Sequence, residues 1–245
     1  MIDTTVHTRR SHDKDVYLNE DRYENPKEIF KMVHAYASTA NCLRPGVAVG
    51  DFGCAAGEFL YYLRRQEPAA TYCGYDVVPE LLAKAREKVD GCDFREGSVL
   101  DRDLLSAGSL DVAFMIGVHE IFDDFVPALS NLVYWTRPGG SIYVFGGFNP
   151  YPVDVYVKYH ALNDPDLGHR EPGWNQFSKA SFSRYVDRTL GRGRHRFIPF
   201  QLPFDLAPRA DDPVRTWTFL DGQGGRLIRN GLALLINLEL LEIQR

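Results

Sequence analysis

Cysteine is scarce in this chain of 245 residues, and the four present, Cys42, Cys54, Cys73 and Cys92, form no Cys-x-x-Cys pair. That spacing excludes a zinc knuckle and predicts four reduced thiols in a cytoplasmic protein, with no metal site. Positive charge is not in surplus: 28 lysines and arginines stand against 33 aspartates and glutamates, a net charge of −5. A nucleic-acid partner led by electrostatics is therefore not expected. No apolar run is long enough to span a bilayer, and Met1 to Glu20 is too polar for a secretory signal, so no membrane partner is expected either. Internal repeats, low-complexity tracts and flexible linkers are also lacking, and residues 1–245 read as one domain.

What is present is an alternation of strands and helices. Hydrophobic residues make up 44% of the chain, enough for a full core. Pro26 sits at the first turn of a predicted helix reaching about Ala40, with Ile29, Phe30, Val33 and Ala37 at helical spacing. His34 within it reads as structural. Strands are predicted at 47–52, 71–76, 93–96, 110–117 and 141–148, and helices at 57–66, 79–89 and 125–135. The run Arg137-Pro138-Gly139-Gly140 reads as a turn closing the last of these helices. This order argues for βαβ units in a doubly wound, mostly parallel sheet. Beyond Phe148 the pattern weakens. A helix is predicted at 178–190 with Ser178 as its cap, a strand at 194–206, and either one strand or a hairpin at 227–242.

The most informative stretch joins the first strand to the first helix: Asp51-Phe-Gly53-Cys-Ala55-Ala-Gly57-Glu58. Small residues at every second position let a ligand approach the backbone. In the dinucleotide fingerprint G-x-G-x-x-G the last glycine would fall at Glu58, whose charge opposes a pyrophosphate; no G-x-x-x-x-G-K-[ST] occurs for a nucleoside triphosphate. Asp76 ends the second strand. Glu96-Gly-Ser98-Val99-Leu-Asp101 follows the third, and Asp111 to Asp123 covers the fourth and the loop beyond, with Ile116 at the strand end.

In this order the motifs resemble those of class I S-adenosylmethionine-dependent methyltransferases over about the first 150 residues. The resemblance implies a Rossmann-like α/β fold with a seven-stranded sheet, S-adenosylmethionine as cofactor and a substrate cap inserted after the fifth strand. It implies Asp51, Gly53, Ala55 and Gly57 around the methionine end, Asp76 on the ribose hydroxyls, and Val77 (or Tyr75), Ser98, Val99 and Ile116 around the adenosine. The family more often has an acid where Ser98 stands.

For the chemistry, His119 just past the fourth strand is the candidate general base, with lining the cofactor pocket or ordering the loop through a hydrogen bond as the alternative. Glu120, Asp123 and Asp124 are secondary candidates, the two aspartates reading rather as helix-start residues favoured by the dipole. Residues 149–176 and 207–225 read as cap insertions, and residues 1–25 as an arm that folds over the ligand. Tyr17, Tyr23, Asn149, Tyr151, His160, Trp174, Asn175 and Arg215 are the candidate acceptor contacts, with Lys158, His169, Arg170 and Arg209 able to meet a phosphate if they converge. A small polar acceptor is expected, O-methylated and sugar-like or nucleotide-linked. N-methylation of a heterocycle, or a silent cofactor-binding partner of another methyltransferase, is the alternative. Association into a homodimer is left open.

Overall fold

The computed structural model describes residues 11–40, 42–160, 170–211, 214–232, 235–236 and 238–245. Its centre is a sheet of β1 (Ala48–Phe52), β2 (Thr71–Asp76), β3 (Asp93–Glu96), β4 (Leu110–Ile116), β5 (Thr136–Asn149), β6 (His195–Pro199) and β7 (Leu238–Gln244), in the order β3-β2-β1-β4-β5-β7-β6. The first five run parallel, while β7 enters antiparallel between β5 and β6. A two-residue strand, Phe177–Ser178, adds to the end of β5. A separate antiparallel ribbon is built from Trp217–Leu220, Arg226–Arg229 and Leu235–Ile236. The apolar C-terminal run is thus a hairpin arm followed by β7.

Helices cover both faces, as a doubly wound sheet requires. On one face lie α2 (Glu28–Thr39), α3 (Glu58–Gln66) and α4 (Pro79–Lys88), burying Val33, Leu60, Leu63 and Leu82. On the other lie α5 (Val126–Trp135) and α6 (Lys179–Leu190), burying Leu129, Trp135, Phe182 and Val186. Trp135 stacks on Phe52 with ring centroids 4.9 Å apart, and its indole N–H donates to the Arg102 carbonyl. Local chemistry sets the helix starts. Pro79 occupies the first turn of α4, where its missing N–H costs nothing, and the Ser178 hydroxyl accepts from the Ser181 N–H to cap α6.

Two expectations need correction. Residues 137–140 form a bulge within β5 and not a separate turn: Thr136 already pairs with Leu110, the next pair is Val112 with Ser141, and the four residues between have no ladder partner among the described residues. Gly140 makes that possible, since a Cβ there would lie 2.6 Å from the Asp111 carbonyl. The strand expected at 194–206 stops at Pro199, which pairs with Glu239 as the last rung of its ladder.

The N-terminal arm is described from Ser11 onward. Its helix α1 (Ser11–Asn19) lies against α4. Lys84 Nζ donates to the carbonyls of Tyr17, Leu18 and Glu20, which satisfies the open end of α1. The buried Glu58 carboxylate accepts from the Arg22 N–H at 2.8 Å, and the Tyr23 hydroxyl donates to the Ala56 carbonyl at 2.8 Å. These bonds hold the arm over the turn between β1 and α3.

Candidate active site

The turn after β1 is held from the next strand. The amides of Gly53 and Cys54 both donate to the Tyr75 carbonyl, at 2.7 and 3.1 Å. Gly53 has φ +78°, and a Cβ there would collide with Val118. Ala55 has φ +47°, the one non-glycine residue with positive φ among those described. Its N–H donates to Asp76 Oδ2 at 2.8 Å, and the Val78 N–H donates to Asp76 Oδ1 at 3.0 Å. Each carboxylate oxygen of Asp76 is thereby fixed by one backbone amide and keeps lone-pair capacity for a ligand hydroxyl. Burial pushes the Asp76 carboxyl up, and the amide hydrogen bonds oppose that.

Asp51 sits at the tip of β1 and is 3% exposed. Its carboxylate has no hydrogen-bond partner among the described residues. Burial, and secondarily the nearby Asp76 charge, push its pKa up to about 8. An unpaired carboxylate in such a place favours a cationic ligand group.

Two cavities meet at this turn. The larger, about 470 Å³, is lined by Asp76, Val77, Ser98 and Val99 together with Trp174 and Arg215. The smaller, about 150 Å³, is lined by Asp51, Glu58 and Glu120 with Lys27 and apolar walls. Tyr17, Gly53, Ala55, Ile116 and Gly117 line both, so they form the junction. The joint space lies at the carboxyl ends of β1, β2 and β4, where doubly wound sheets collect ligands.

The structure brings together most of the expected cofactor set. Asp51, Gly53, Ala55, Asp76, Val77, Ser98, Val99 and Ile116 all line this space. Gly57 does not. With φ +77°, it packs α3 on the sheet, and a Cβ there would lie 2.8 Å from Phe94. Tyr75 belongs to the core, stacked on Phe52 at 5.0 Å, which leaves Val77 as the apolar wall.

Of the expected acceptor contacts, Tyr17, Glu120, Trp174 and Arg215 reach the cavities. Tyr23 is buried beneath the turn. Asn149 ties its own loop, donating to the Val153 carbonyl and accepting from the Tyr151 N–H, and Tyr151 is 72% exposed. Asn175 is fully buried, bridging the Phe122 carbonyl and the Val157 N–H. His160 lines neither cavity. Of the expected phosphate-seeking cations, Lys158 pairs with Asp123 and Arg209 with Asp211, and His169 lies outside the described residues.

His119 is not offered to a substrate. It is fully buried and lines neither cavity. Its ring stacks on Phe148 at 4.8 Å and meets Phe182 edge-on at 5.5 Å. Nε2 bonds the Gly147 carbonyl at 3.3 Å, and desolvation lowers its pKa to about 4. The geometry favours the loop-ordering role over the base. His34, expected to be structural, bonds Glu67 and Ser38.

Sequence reasoning missed Gly117 and Lys14 as lining residues. Gly117 has φ +70° with open space beside it, so the bare backbone at the end of β4 faces both cavities. A glycine directly after an apolar strand was the available signal. Lys14 is brought in by α1 and had none.

A parallel sheet with one antiparallel strand in this order, and acids at the tips of its first two strands around a tight turn, give the Rossmann-like α/β fold found in S-adenosylmethionine-dependent methyltransferases. Residues 51–142 match the family model described as a methyltransferase domain. Trans-aconitate 2-methyltransferase of Escherichia coli is 26% identical over 169 residues, 69% of this chain, and the matched region spans 58% of that relative's length. Among solved structures, the YcgJ protein from Bacillus subtilis aligns with a TM-score of 0.55 at 14% identity, covering 88% of this chain and 97% of that one. Burkholderia thailandensis 1,6-didemethyltoxoflavin-N1-methyltransferase, solved with 1,6-didemethyltoxoflavin and S-adenosylhomocysteine, gives 0.53 at 17% identity, covering 95% and 83%. Residues 51–142 thus resemble a methyltransferase domain, and S-adenosylmethionine is the cofactor that this match and the structural likeness support. The residues present fit it: Asp76 for two hydroxyls, Asp51 for an ammonium, and a turn with no bulky side chain between them.

Proposed function

We propose that the protein transfers the methyl group of S-adenosylmethionine to a small polar acceptor. The carrying observation is the pair of acids, Asp76 and Asp51, on the two cavities that meet at Gly53, Ala55 and Gly117. The cofactor supplies an electrophilic methyl group on a sulfonium. Asp76 would orient the ribose and Asp51 the amino-acid end, so the junction is where an acceptor must be aligned. The arm of residues 11–25 acts as the lid, since Tyr17 reaches the junction and Lys84 anchors the end of α1. No helix among the described residues is long and apolar enough to cross a membrane. The free thiols of Cys42, Cys54, Cys73 and Cys92 suit the cytoplasm.

The finer reading is a hydroxyl- or amine-bearing acceptor. Tyr17 and Trp174 offer aromatic faces, and Glu120 a carboxylate, as a sugar-like molecule or a polar heterocycle requires. A nucleotide-linked acceptor has weaker support, since among the described residues Arg215 and Lys14 are the cations that line the larger cavity. An anionic acceptor of the kind named for trans-aconitate 2-methyltransferase is disfavoured by the carboxylates of Glu58 and Glu120 on the smaller one.

The test is release of S-adenosylhomocysteine from S-adenosylmethionine with a metabolite extract separated into cationic, neutral and anionic pools. Turnover with the cationic or neutral pool is the expected result. Turnover confined to the anionic pool would contradict the acceptor class. Cofactor binding without turnover in any pool would favour the silent-partner alternative.

A further inference from the structure

The turn between β1 and α3 has few backbone donors left for a ligand anion. The amides of Gly53 and Cys54 are spent on the Tyr75 carbonyl, that of Ala55 on Asp76, and that of Gly57 on the Cys54 carbonyl. An anionic ligand group in the smaller cavity therefore needs a side-chain partner. Lys27 is, among the described residues, the cation that lines that cavity. Its carbonyl accepts from the Phe30 N–H at 2.9 Å, which fixes its backbone to the first turn of α2. Its ammonium lies 2.7 Å from Glu20 Oε2, 3.9 Å from Glu58 Oε2 and 5.1 Å from the centre of the Tyr17 ring. Glu20 and Tyr17 belong to the N-terminal arm, and Glu58 to the first turn of α3, so this one ammonium joins the arm to the turn.

The groups around it suit a ligand end that carries both charges. An ammonium has several donors. One goes to Glu20, while 3.9 Å to Glu58 is too long for a second hydrogen bond, so Lys27 keeps donor capacity on the cavity. Glu58 is 6% exposed and is already held by the Arg22 N–H on Oε1. Asp51, which has no hydrogen-bond partner among the described residues, lines the same cavity. Resting on the cofactor reading above, we propose that Lys27 is the specificity-determining residue for the amino-acid end of the cofactor. It meets the carboxylate while Asp51 meets the ammonium, and so selects an intact amino acid over an amine that lacks the carboxylate. Because the same ammonium holds Glu20, a bound carboxylate also ties the arm over the site.

The test compares S-adenosylhomocysteine with its decarboxylated analogue, S-adenosyl-3-thiopropylamine, which keeps the adenosine, the thioether and the ammonium. Calorimetry on the full chain is expected to show S-adenosylhomocysteine binding at least about tenfold more tightly, as a charge-assisted hydrogen bond to the carboxylate would give. In Lys27→Met that preference should fall to within about threefold, and Lys27→Gln, which keeps a polar end beside Glu20, should behave alike. Lys27→Arg should keep most of the preference. Glu20→Gln removes the arm partner but leaves the lysine charge, and should keep it as well. A role confined to holding the arm would lower both affinities together in Lys27→Met and leave their ratio unchanged. That result, or equal affinity for the two ligands in the wild type, overturns the assignment. Failure of S-adenosylhomocysteine to bind the wild type overturns the cofactor reading instead.

Discussion

The Ala55 amide and the Asp76 carboxylate are joined by a 2.8 Å hydrogen bond across the ends of adjacent strands. Ala55 takes a left-handed conformation, φ +47°, to make it. A side chain at such a φ costs on the order of 1 kcal/mol, and the bond to a carboxylate offsets it. The turn and the acid that would hold the ribose are therefore one unit. A ligand that engages Asp76 also sets the backbone beneath its own neighbouring atoms.

Asp51 makes that unit sensitive to pH. Its carboxyl holds its proton to about pH 8 in the fold, against the ordinary 3.8 in the unfolded chain. Between those values the folded state binds the extra proton, so this group's contribution to stability falls as pH rises from about 4 to 8, by on the order of a few kcal/mol. We expect Asp51→Asn to flatten that slope in urea titrations across this range. A cationic cofactor end favours the ionised form. Binding near pH 7 should then release a proton in the wild type and release less in Asp51→Asn, counted by calorimetry in buffers of different ionisation enthalpy.

His119 works in the opposite direction. Its pKa falls from 6.5 to about 4 on burial, so the unfolded chain takes up a proton first as pH drops. Stability due to the neutral ring is present above about pH 6.5 and is lost as pH falls toward 4. His119→Phe keeps the stacking on Phe148 and gives up the bond to Gly147. It should cost roughly 1 kcal/mol at neutral pH, remove this acid sensitivity and leave cofactor affinity within about twofold. A large loss of turnover with an unchanged fold would restore His119 as a base.

Two glycines with similar φ should behave differently. Gly57→Ala brings a methyl group 2.8 Å from the Phe94 ring, so it should destabilise by about 1–3 kcal/mol and affect cofactor binding only through the fold. Gly117→Ala meets nothing within 4 Å, but it puts a side chain on the backbone that lines both cavities. Its larger effect, about tenfold or more, should be on S-adenosylhomocysteine affinity. Parallel melting and binding curves for the two variants check this.

Much of the nucleotide-binding half was legible because its signals are local. The strand bounds 71–76 and 93–96 follow from short runs between turns, and Asp51 and Asp76 stand where a strand tip puts them. Gly57 misled because a ligand and a packed phenylalanine ask for the same small residue. The acceptor side was harder to read. Asn149, Asn175 and Tyr151 look like ligand-binding groups, yet their places are set by contacts distant in sequence, such as Asn175 with Phe122. His119 stands on the expected loop, but only the packing of Phe148 and Phe182 shows which way its ring turns.

The most direct measurement is a calorimetric titration of S-adenosylmethionine into the wild type and Asp76→Ala. Losing two ligand hydrogen bonds to a buried carboxylate should weaken binding by about 100-fold, while the thermal midpoint moves by only a few degrees. Saturable binding by the wild type that collapses in Asp76→Ala is the result expected. Equal affinity in the two proteins, or no binding by the wild type, would contradict the cofactor cradle described above.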